Sequence, residues 1–353
     1  MDRALQFSGT KDVDPKLLLD HGPLEKYLKN LLGSDTNLLN IKQFKGGQSN
    51  PTYLIQTNLK NFVLRRKPPG KLLVSAHAVD REYKVITALD KTDVPVPKTY
   101  DLCEDISVAG TPFFLMDHVE GNIFWDLTLT KCSAEERGKI YWSMNDTIAK
   151  LHNADFKRIG LSDYGKHENY MARQIARWTK QYKDSETTLI PEMDNLIEWL
   201  PKNIPSGEET SIVHGDFRLD NMVFDKDTNE VIAILDWELS TLGHPIADFT
   251  YHMMCWKLPL AVKGIGILGA NLKELNIPNE NEYAEAYYKK TNRNEIQDWD
   301  FFLAYNMFRL AGITQGIAGR VRDGTASSDQ AKQYAAFVPI LAKMAWHTVE
   351  AIK

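Results

Sequence analysis

The feature that most constrains this chain is one short polar stretch, His214-Gly215-Asp216-Phe217-Arg218-Leu219-Asp220-Asn221, followed by Asp236 fifteen residues after its end. Two apolar runs, 222–224 and 231–235, lie between Asn221 and Asp236 and flank the turn-rich sequence 225–229. This pattern predicts a β-hairpin. The hairpin would hold Asn221 at the start of one strand and Asp236 at the end of the other, with Asp216 on the preceding loop.

These residue types are the ones that phosphoryl transfer needs: a carboxylate to accept the hydroxyl proton, oxygen ligands for magnesium, and cations for the transition-state charge. We predict Asp216 as the catalytic base, and Arg218 as a contact of the transferred phosphate. Asn221 and Asp236 are predicted to bind Mg²⁺, which completes its shell with phosphates and water. A lone His-Gly-Asp sequence is also common in structural turns, but the combined spacing favours a metal and nucleotide site.

The rest of the chain predicts an α+β architecture of two lobes. A leading helix over 15–32 precedes strands over 38–44, 52–56 and 61–66, then a helix over 75–90 with Ser75 as N-cap, and a strand over 111–116. Helical patterns dominate the second half, as in 134–152, 170–182 and the last sixty residues. These elements predict a protein-kinase-like fold, with a small β-rich nucleotide-binding lobe over 1–117 and a larger helical catalytic and substrate lobe over 118–353.

The third strand supplies a cation for the nucleotide phosphates. Strand alternation places Val63 and Arg65 on one face, where Val63 would cover a base and Arg65 would bind phosphates. Glu82, on the following helix, is the predicted partner of Arg65. The alternative is a solvated Arg-Arg-Lys run on an edge strand.

Two further segments are predicted to contact the nucleotide. The loop after the first strand would cover the phosphates through Gly46, Gly47, Ser49 and Asn50, although a plain hairpin turn explains it almost equally well. The connection 116–121 would offer backbone groups of Asp117 and Val119 to adenine. An ordinary interdomain connection is the alternative for this second segment.

Composition limits the classes of partner and the cellular compartment that we expect for this chain. The 353 residues carry a net charge of −5, which supplies no broad basic surface for nucleic acid. Three cysteines far apart fit neither a disulfide framework nor a zinc site. Because we find no apolar stretch long enough to span a membrane and no secretory leader, we expect no membrane association and a cytoplasmic location, with mitochondrial or peroxisomal import left open.

Together these motifs resemble the aminoglycoside phosphotransferase (choline kinase-like) family, whose HGDxxxxN and I-D-W-E signatures match 214–221 and 234–238. More narrowly, segments 62–73, 76–83, 214–221 and 243–249 resemble the kinase-like domain of acyl-CoA dehydrogenase family members 10 and 11. The resemblance implies ATP- and Mg²⁺-dependent phosphorylation of a small hydroxylated molecule, a hydroxy acid or hydroxyacyl-CoA, and a separate acyl-CoA dehydrogenase partner. The family's phosphate-binding lysine is Arg65 here, which leaves the choice between ATP and GTP open.

Two other functions remain as alternatives. A kinase-like nucleotide-binding or regulatory module without turnover is supported by Arg65 in place of lysine. A protein kinase is disfavoured, because Gly215 stands where protein kinases carry arginine and no Ala-Pro-Glu segment follows Asp236. The segment from Phe249 to Lys353 contains ten acidic and twelve basic residues. This slight basic excess argues against a polycationic acceptor.

Overall fold

The computed structural model describes residues 6–46, 50–70, 77–260, 265–293, 298–324 and 335–352. The chain divides into two compact units. Unit 1 comprises Met1–Tyr164, His214–Ser240 and Asn271–Pro278, and unit 2 comprises Gly165–Val213, Thr241–Ala270 and Asn279–Lys353. The predicted division of the chain at residue 117 stays a prediction.

The strands are β1 (Thr10–Lys11), β2 (Leu38–Phe44), β3 (Thr52–Thr57), β4 (Asn61–Arg66), β5 (Thr99–Cys103), β6 (Phe113–Asp117), β7 (Ser211–Val213), β8 (Met222–Phe224), β9 (Val231–Ile234) and β10 (Thr241–Gly243). The helices are α1 (His21–Leu32), α2 (Val79–Leu89), α3 (Ile106–Ala109), α4 (Ala134–Asn153), α5 (Tyr170–Ser185), α6 (Pro191–Trp199), α7 (Pro245–Met253), α8 (Leu272–Leu275), α9 (Glu280–Lys290), α10 (Trp299–Arg322) and α11 (Val338–Ile352). The predicted β-rich first part and helical second part are confirmed.

Among the described residues, unit 1 contains a sheet of six strands in the order β1-β2-β3-β4-β6-β5, and every pairing in it is antiparallel. Three strands were predicted within one residue of their observed bounds: β2, β3 and β4. The strand predicted over 111–116 is β6. Strands β1 and β5 were not predicted, although β5 pairs with β6 along Thr99–Cys103.

The two faces of this sheet have different roles. One face packs on α1, where Leu24 and Leu28 join a buried cluster with Tyr53, Phe62 and Phe113. Residues of the other face are paired across strands, Val63 with Met116 and Arg65 with Phe114. The prediction that Val63 and Arg65 share a face is therefore confirmed.

Two helix starts differ from the predictions. The leading helix begins at His21 rather than Pro15, because Asp20 caps it by accepting the amide of Gly22 and only a 3₁₀ turn covers Pro15–Leu17. Helix α2 begins at Val79 with Ala78 at the N-cap, so the prediction of Ser75 as N-cap was wrong. Ser75 itself lies outside the described residues.

The predicted hairpin of β8 and β9 is confirmed within unit 1, with Met222 opposite Ile234. Unit 2 contains its own two-stranded pair, β7 and β10. Helix α7 packs on β7, and α10 packs on α7. No helix of the described ranges combines the length and the apolar character needed to cross a membrane.

Candidate active site

A cleft of about 600 Å³ lies within unit 1. Of the predicted site residues, it is lined by Gly46, Arg65, Glu82, Asp117, Val119, Asn221 and Asp236. Gly47 and Ser49 lie outside the described residues. A broader depression of about 770 Å³ along α4, lined by Trp142 and Asp146, contains none of the predicted site residues that the structure describes.

Arg65 joins two carboxylates from different elements. Its Nε lies 2.8 Å from Glu82 Oε2 on α2, and its Nη2 lies 2.6 Å from Asp236 Oδ1 after β9. A third carboxylate, Glu238, is 3.9 Å from the same Nη2. The side chains of Arg65 and Glu82 are only 8% and 2% exposed, so the predicted pair is a buried one. The alternative of a solvated edge-strand cation is excluded.

Burial and charge act in opposite directions on this pair. Burial alone would lower the pKa of Arg65, but the carboxylates of Glu82 and Asp236 raise it above its ordinary value. Burial raises the pKa of Glu82, and the positive charge of Arg65 counteracts this. The arginine is therefore a permanent cation in the cleft.

Asn50 holds the Glu82 carboxylate through a buried hydrogen bond. Its buried amide donates to Glu82 Oε1 at 2.8 Å, and its Oδ1 lies 3.1 Å from His77 Nδ1. Asn50 was predicted to cover phosphates, whereas in the structure its side chain orients a carboxylate. Neither the contact with Glu82 nor the contact with His77 has a signal in the sequence, because each joins residues that are distant in the chain.

Helix α2 is also held in place by contacts of Arg81. Arg81 donates to the carbonyls of Tyr164 and Ser240 at 2.8 and 3.4 Å, and its guanidinium carbon lies 4.4 Å from the Tyr164 ring centroid. Ser240 follows the Asp236 segment, so Arg81 connects the helix that carries Glu82 with the segment that carries Asp236. No local pattern around Arg81 predicts this role.

The loop before β8 is held by its own polar groups. The side-chain nitrogen Nδ2 of Asn221 donates to the Asp216 backbone carbonyl at 2.9 Å and to Asp216 Oδ2 at 3.0 Å. The Asp216 amide donates to His214 Nδ1 at 3.2 Å, while His214 Nε2 lies 2.9 Å from the Leu235 carbonyl. This pattern corresponds to a neutral His214 with its proton on Nε2. His214 thus fixes the Asp216 backbone to the end of β9.

Arg218 lies beside the predicted base. Its Nε is 3.6 Å from Asp216 Oδ1, and its Nη2 donates to Asp220 Oδ2 at 2.6 Å. Gly215 adopts φ +82°, and a Cβ there would lie 2.8 Å from the Leu239 carbonyl oxygen. Only glycine fits this turn without movement.

The donor set at the end of the hairpin suits magnesium. Asp236 has a left-handed backbone with φ +63°, and its side chain remains 34% exposed. The hydrogen bonds of Asn221 to Asp216 use its side-chain nitrogen and not its amide oxygen. One amide oxygen and one carboxylate are hard oxygen ligands of the kind that Mg²⁺ prefers. These residues fit the ion.

Asp117 and Val119, in the connection at the end of β6, differ in how their polar groups are hydrogen-bonded. Asp117 donates its amide to the Lys98 carbonyl at 2.8 Å, and its carboxylate accepts from Lys60 at 2.5 Å and Tyr100 at 2.8 Å. Within the described part of the chain, neither backbone polar group of Val119 has a hydrogen-bond partner. Val119 thus has backbone groups available to a ligand, whereas the amide and carboxylate of Asp117 are engaged.

This chain matches one family model and resembles several curated proteins over most of its length. Residues 40–272 match the model of the Phosphotransferase enzyme family. Acyl-CoA dehydrogenase family member 10 of Mus musculus is 42% identical over 339 residues, 96% of this chain and 32% of the relative. Acyl-CoA dehydrogenase family member 11 of Homo sapiens is 41% identical over 342 residues, 95% of this chain and 44% of the relative. The chain thus spans less than half of the length of these curated relatives.

A solved structure extends the similarity to three dimensions. The crystal structure of a candidate aminoglycoside phosphotransferase from Ralstonia eutropha JMP134 superposes with a TM-score of 0.87 at 47% identity, covering 95% of this chain and 99% of the other. This similarity confirms the predicted protein-kinase-like fold, and the resemblance seen in the sequence is confirmed as well. The chain belongs to the Phosphotransferase enzyme family.

Proposed function

We propose that this protein is an ATP- and Mg²⁺-dependent phosphotransferase that acts on the hydroxyl group of a small molecule. The observation that carries the proposal is the meeting of Arg65, Glu82 and Asp236 in one cleft of unit 1, which Asn221 also lines. These groups come from three separate stretches of sequence. Together they offer a cation for phosphates and oxygen ligands for a metal, which is what phosphoryl transfer requires.

The nucleotide is proposed to lie along this cleft. Arg65 would bind its phosphates, with Glu82 and Asn50 holding the guanidinium in place. Val63 would cover the base, and Val119 would offer its free backbone groups to the base edge. The loop that begins at Gly46, including Gly47 and Ser49, would cover the phosphates.

Asn221 and Asp236 would hold Mg²⁺, which when bound neutralises negative charge on the phosphates. The hydrogen bond from Asn221 orients the Asp216 carboxylate, and the Asp216 backbone is fixed through His214. In the reaction the acceptor oxygen forms a bond to the γ-phosphorus, and the bond from that phosphorus to the β–γ bridging oxygen breaks. ADP leaves, and the hydroxyl proton passes to Asp216. Arg218 would stabilise the transferred phosphoryl group.

The acceptor is proposed to be a hydroxy acid or a hydroxyacyl-CoA. Support comes from the names of the curated relatives, which are acyl-CoA dehydrogenase family members. The slight basic excess from Phe249 onward suits an anionic acceptor better than a polycation. A separate acyl-CoA dehydrogenase that consumes the product, and a cytoplasmic location, stay predictions.

One observation favours a second function, a nucleotide-binding module without turnover. Arg65 occupies the position of the family's lysine, and its guanidinium is bonded to the carboxylate that would bind magnesium. If that bond persists when nucleotide is present, Asp236 cannot serve the metal fully.

A direct test is mass-spectrometric detection of phosphorylated products with wild type and Asp216→Asn. Each protein is incubated with ATP, Mg²⁺ and a panel of hydroxy acids, hydroxyacyl-CoAs, amino alcohols and aminoglycosides, and ADP release without acceptor is recorded. We expect a product from wild type and a loss of about 10²- to 10⁴-fold in Asp216→Asn. Magnesium-ATP binding with neither product nor ADP release would favour the module. An Asp216→Asn protein as active as wild type would refute the role of Asp216.

A further inference from the structure

The segment before the first helix forms an additional edge of the sheet. Strand β1 pairs with β2 through Thr10 opposite Phe44 and Lys11 opposite Gln43. The pairing continues beyond the strand, since the Lys45 amide donates to the Gly9 carbonyl at 3.1 Å. We name residues 7–11 the N-terminal strap. The strap therefore runs alongside the strand that leads into the proposed phosphate-covering loop.

The strap also contacts the segment that follows β6 and the Val119 connection. Its Ser8 Oγ accepts from Trp125 Nε1 at 2.8 Å. The Phe7 ring stacks on the Trp125 ring, with centroids 5.4 Å apart and planes 30° apart. The strap thus joins β2 to the chain beyond the connection. Residues of both attachments, Phe44 and Trp125, line the cleft.

Phe7, Ser8, Gly9 and Trp125 line the same 600 Å³ cleft as Arg65. A second ring pair, Phe44 with His118, lines it as well, with centroids 6.1 Å apart. Phe7 and Trp125 both contribute aromatic rings to the lining of the cleft. These rings supply an aromatic surface of the kind that covers a base or a ribose and excludes water.

We propose that the N-terminal strap is a binding element of this cleft, which retains a bound nucleotide by closing the Phe7–Trp125 ring pair over its base and ribose. The proposal rests on the proposed function in assigning the cleft to a nucleoside triphosphate. Among the described residues, the strap contacts Trp125 through a ring contact and a hydrogen bond, both of which can break and re-form, so its closure is reversible. The strap slows release of the nucleotide more than its entry.

The test is a double-mutant cycle on the full chain with Phe7→Ala, Trp125→Ala and the double variant. The dissociation constant of ADP with Mg²⁺ is measured by calorimetry, and the release rate of a fluorescent ADP analogue by stopped flow. Each single variant should weaken ADP binding by about three- to tenfold, mostly through faster release. The double variant should bind about as weakly as the weaker single one, because the two rings act as one contact.

Two further variants separate binding from folding. Trp125→Phe keeps a ring but loses the indole donor to Ser8, and should weaken binding by less than Trp125→Ala. Trp142→Ala removes a 39% exposed tryptophan elsewhere in unit 1 and should leave ADP binding unchanged. Thermal unfolding without nucleotide shows whether each variant is folded.

The outcomes are distinguishable. If wild type binds ADP and both Phe7→Ala and Trp125→Phe bind it within twofold of wild type, the strap is not a binding element, although the nucleotide site stands. Additive effects in the cycle would also refute the coupling of the two rings. If wild type binds no adenine nucleotide, the proposed function itself is refuted and the strap proposal with it.

Discussion

Arg65 and Asp236 are 171 residues apart in the sequence, yet their side chains form an ion pair of 2.6 Å. The same guanidinium reaches Glu82 at 2.8 Å through another nitrogen. A guanidinium has several donors in a fixed plane and so can bridge two carboxylates, whereas a lysine ammonium is a single point of charge. The arginine thereby links β4, α2 and the segment after β9.

The first prediction concerns this bridge. Arg65→Met should lower the free energy of unfolding by about 3–5 kcal/mol, because Glu82 is left as a buried charge without its partner. Arg65→Lys should lose less stability but bind ADP more weakly than wild type, since lysine cannot hold both carboxylates. Urea unfolding and ADP titration measure the two effects.

The control for this prediction is the double variant Arg65→Met with Glu82→Gln, which should recover part of the lost stability because the buried charge is gone. An Arg65→Met protein as stable as wild type would contradict the prediction.

The second prediction concerns Asn50. Asn50→Ala should lower the free energy of unfolding by about 1–3 kcal/mol, because Glu82 loses a buried hydrogen-bond donor. Asn50→Asp should cost more at neutral pH, because it places a carboxylate 2.8 Å from a second one where a donor stood. Urea unfolding ranks the two variants, and the reverse order would show that Asn50 does not act by donating to Glu82.

The third prediction concerns Gly215. Both Gly215 and Gly160 have φ +82°, but a Cβ at Gly160 meets nothing within 4 Å, whereas one at Gly215 meets the Leu239 carbonyl oxygen at 2.8 Å. Gly160→Ala should therefore cost about 1–2 kcal/mol for the backbone conformation alone. Gly215→Ala should cost more and should also reduce kcat, because Asp216 is the next residue. Equal losses of stability, with kcat unchanged, would argue against a tight fit at this turn.

The fourth prediction concerns pH. Burial raises the pKa of Asp126, but hydrogen bonds from Thr128 and Thr130 lower it by more, so that it lies below its ordinary 3.8. A carboxylate with a depressed pKa stabilises the folded state above the unfolded-state value and loses this contribution as the pH falls through the folded-state value. Wild type should therefore exceed Asp126→Asn in stability at pH 6, and the difference should narrow below pH 4.

Urea unfolding of both proteins from pH 6.5 down to pH 2.5, through and below the ordinary value of 3.8, gives this difference directly. A difference that stays constant over the range would mean that Asp126 does not titrate with a depressed pKa.

The sequence predicted the parts of the site that depend on local pattern. Alternation along β4 was sufficient to place Val63 and Arg65 on one face, and the apolar runs on either side of 225–229 were sufficient to predict the hairpin. Glu82 could be proposed because the next helix after β4 had to carry any partner of Arg65.

The remaining features depend on contacts between distant residues. The sequence pattern placed Asn50 on the loop before β3. The direction of its side chain is set by contacts with Glu82 on α2 and with His77, and no local pattern predicts these contacts. Strand β5 is short and polar, and it becomes a strand only because β6 offers an edge. The pairing of Phe7 with Trp125 joins residues 118 positions apart, and a lone Phe7 has no periodic context. The roles of individual site residues stay predictions.

Unit 1 is discontinuous in sequence, since the chain leaves it after Tyr164, returns at His214 and leaves again after Ser240. Every residue to which we assign a role at the nucleotide belongs to this unit. Mutations within 165–213, 241–270 and 279–353 can therefore accumulate without altering any of these assigned groups. The sequence of unit 2 can therefore drift in a lineage while the groups that we propose to bind the phosphate donor are inherited intact.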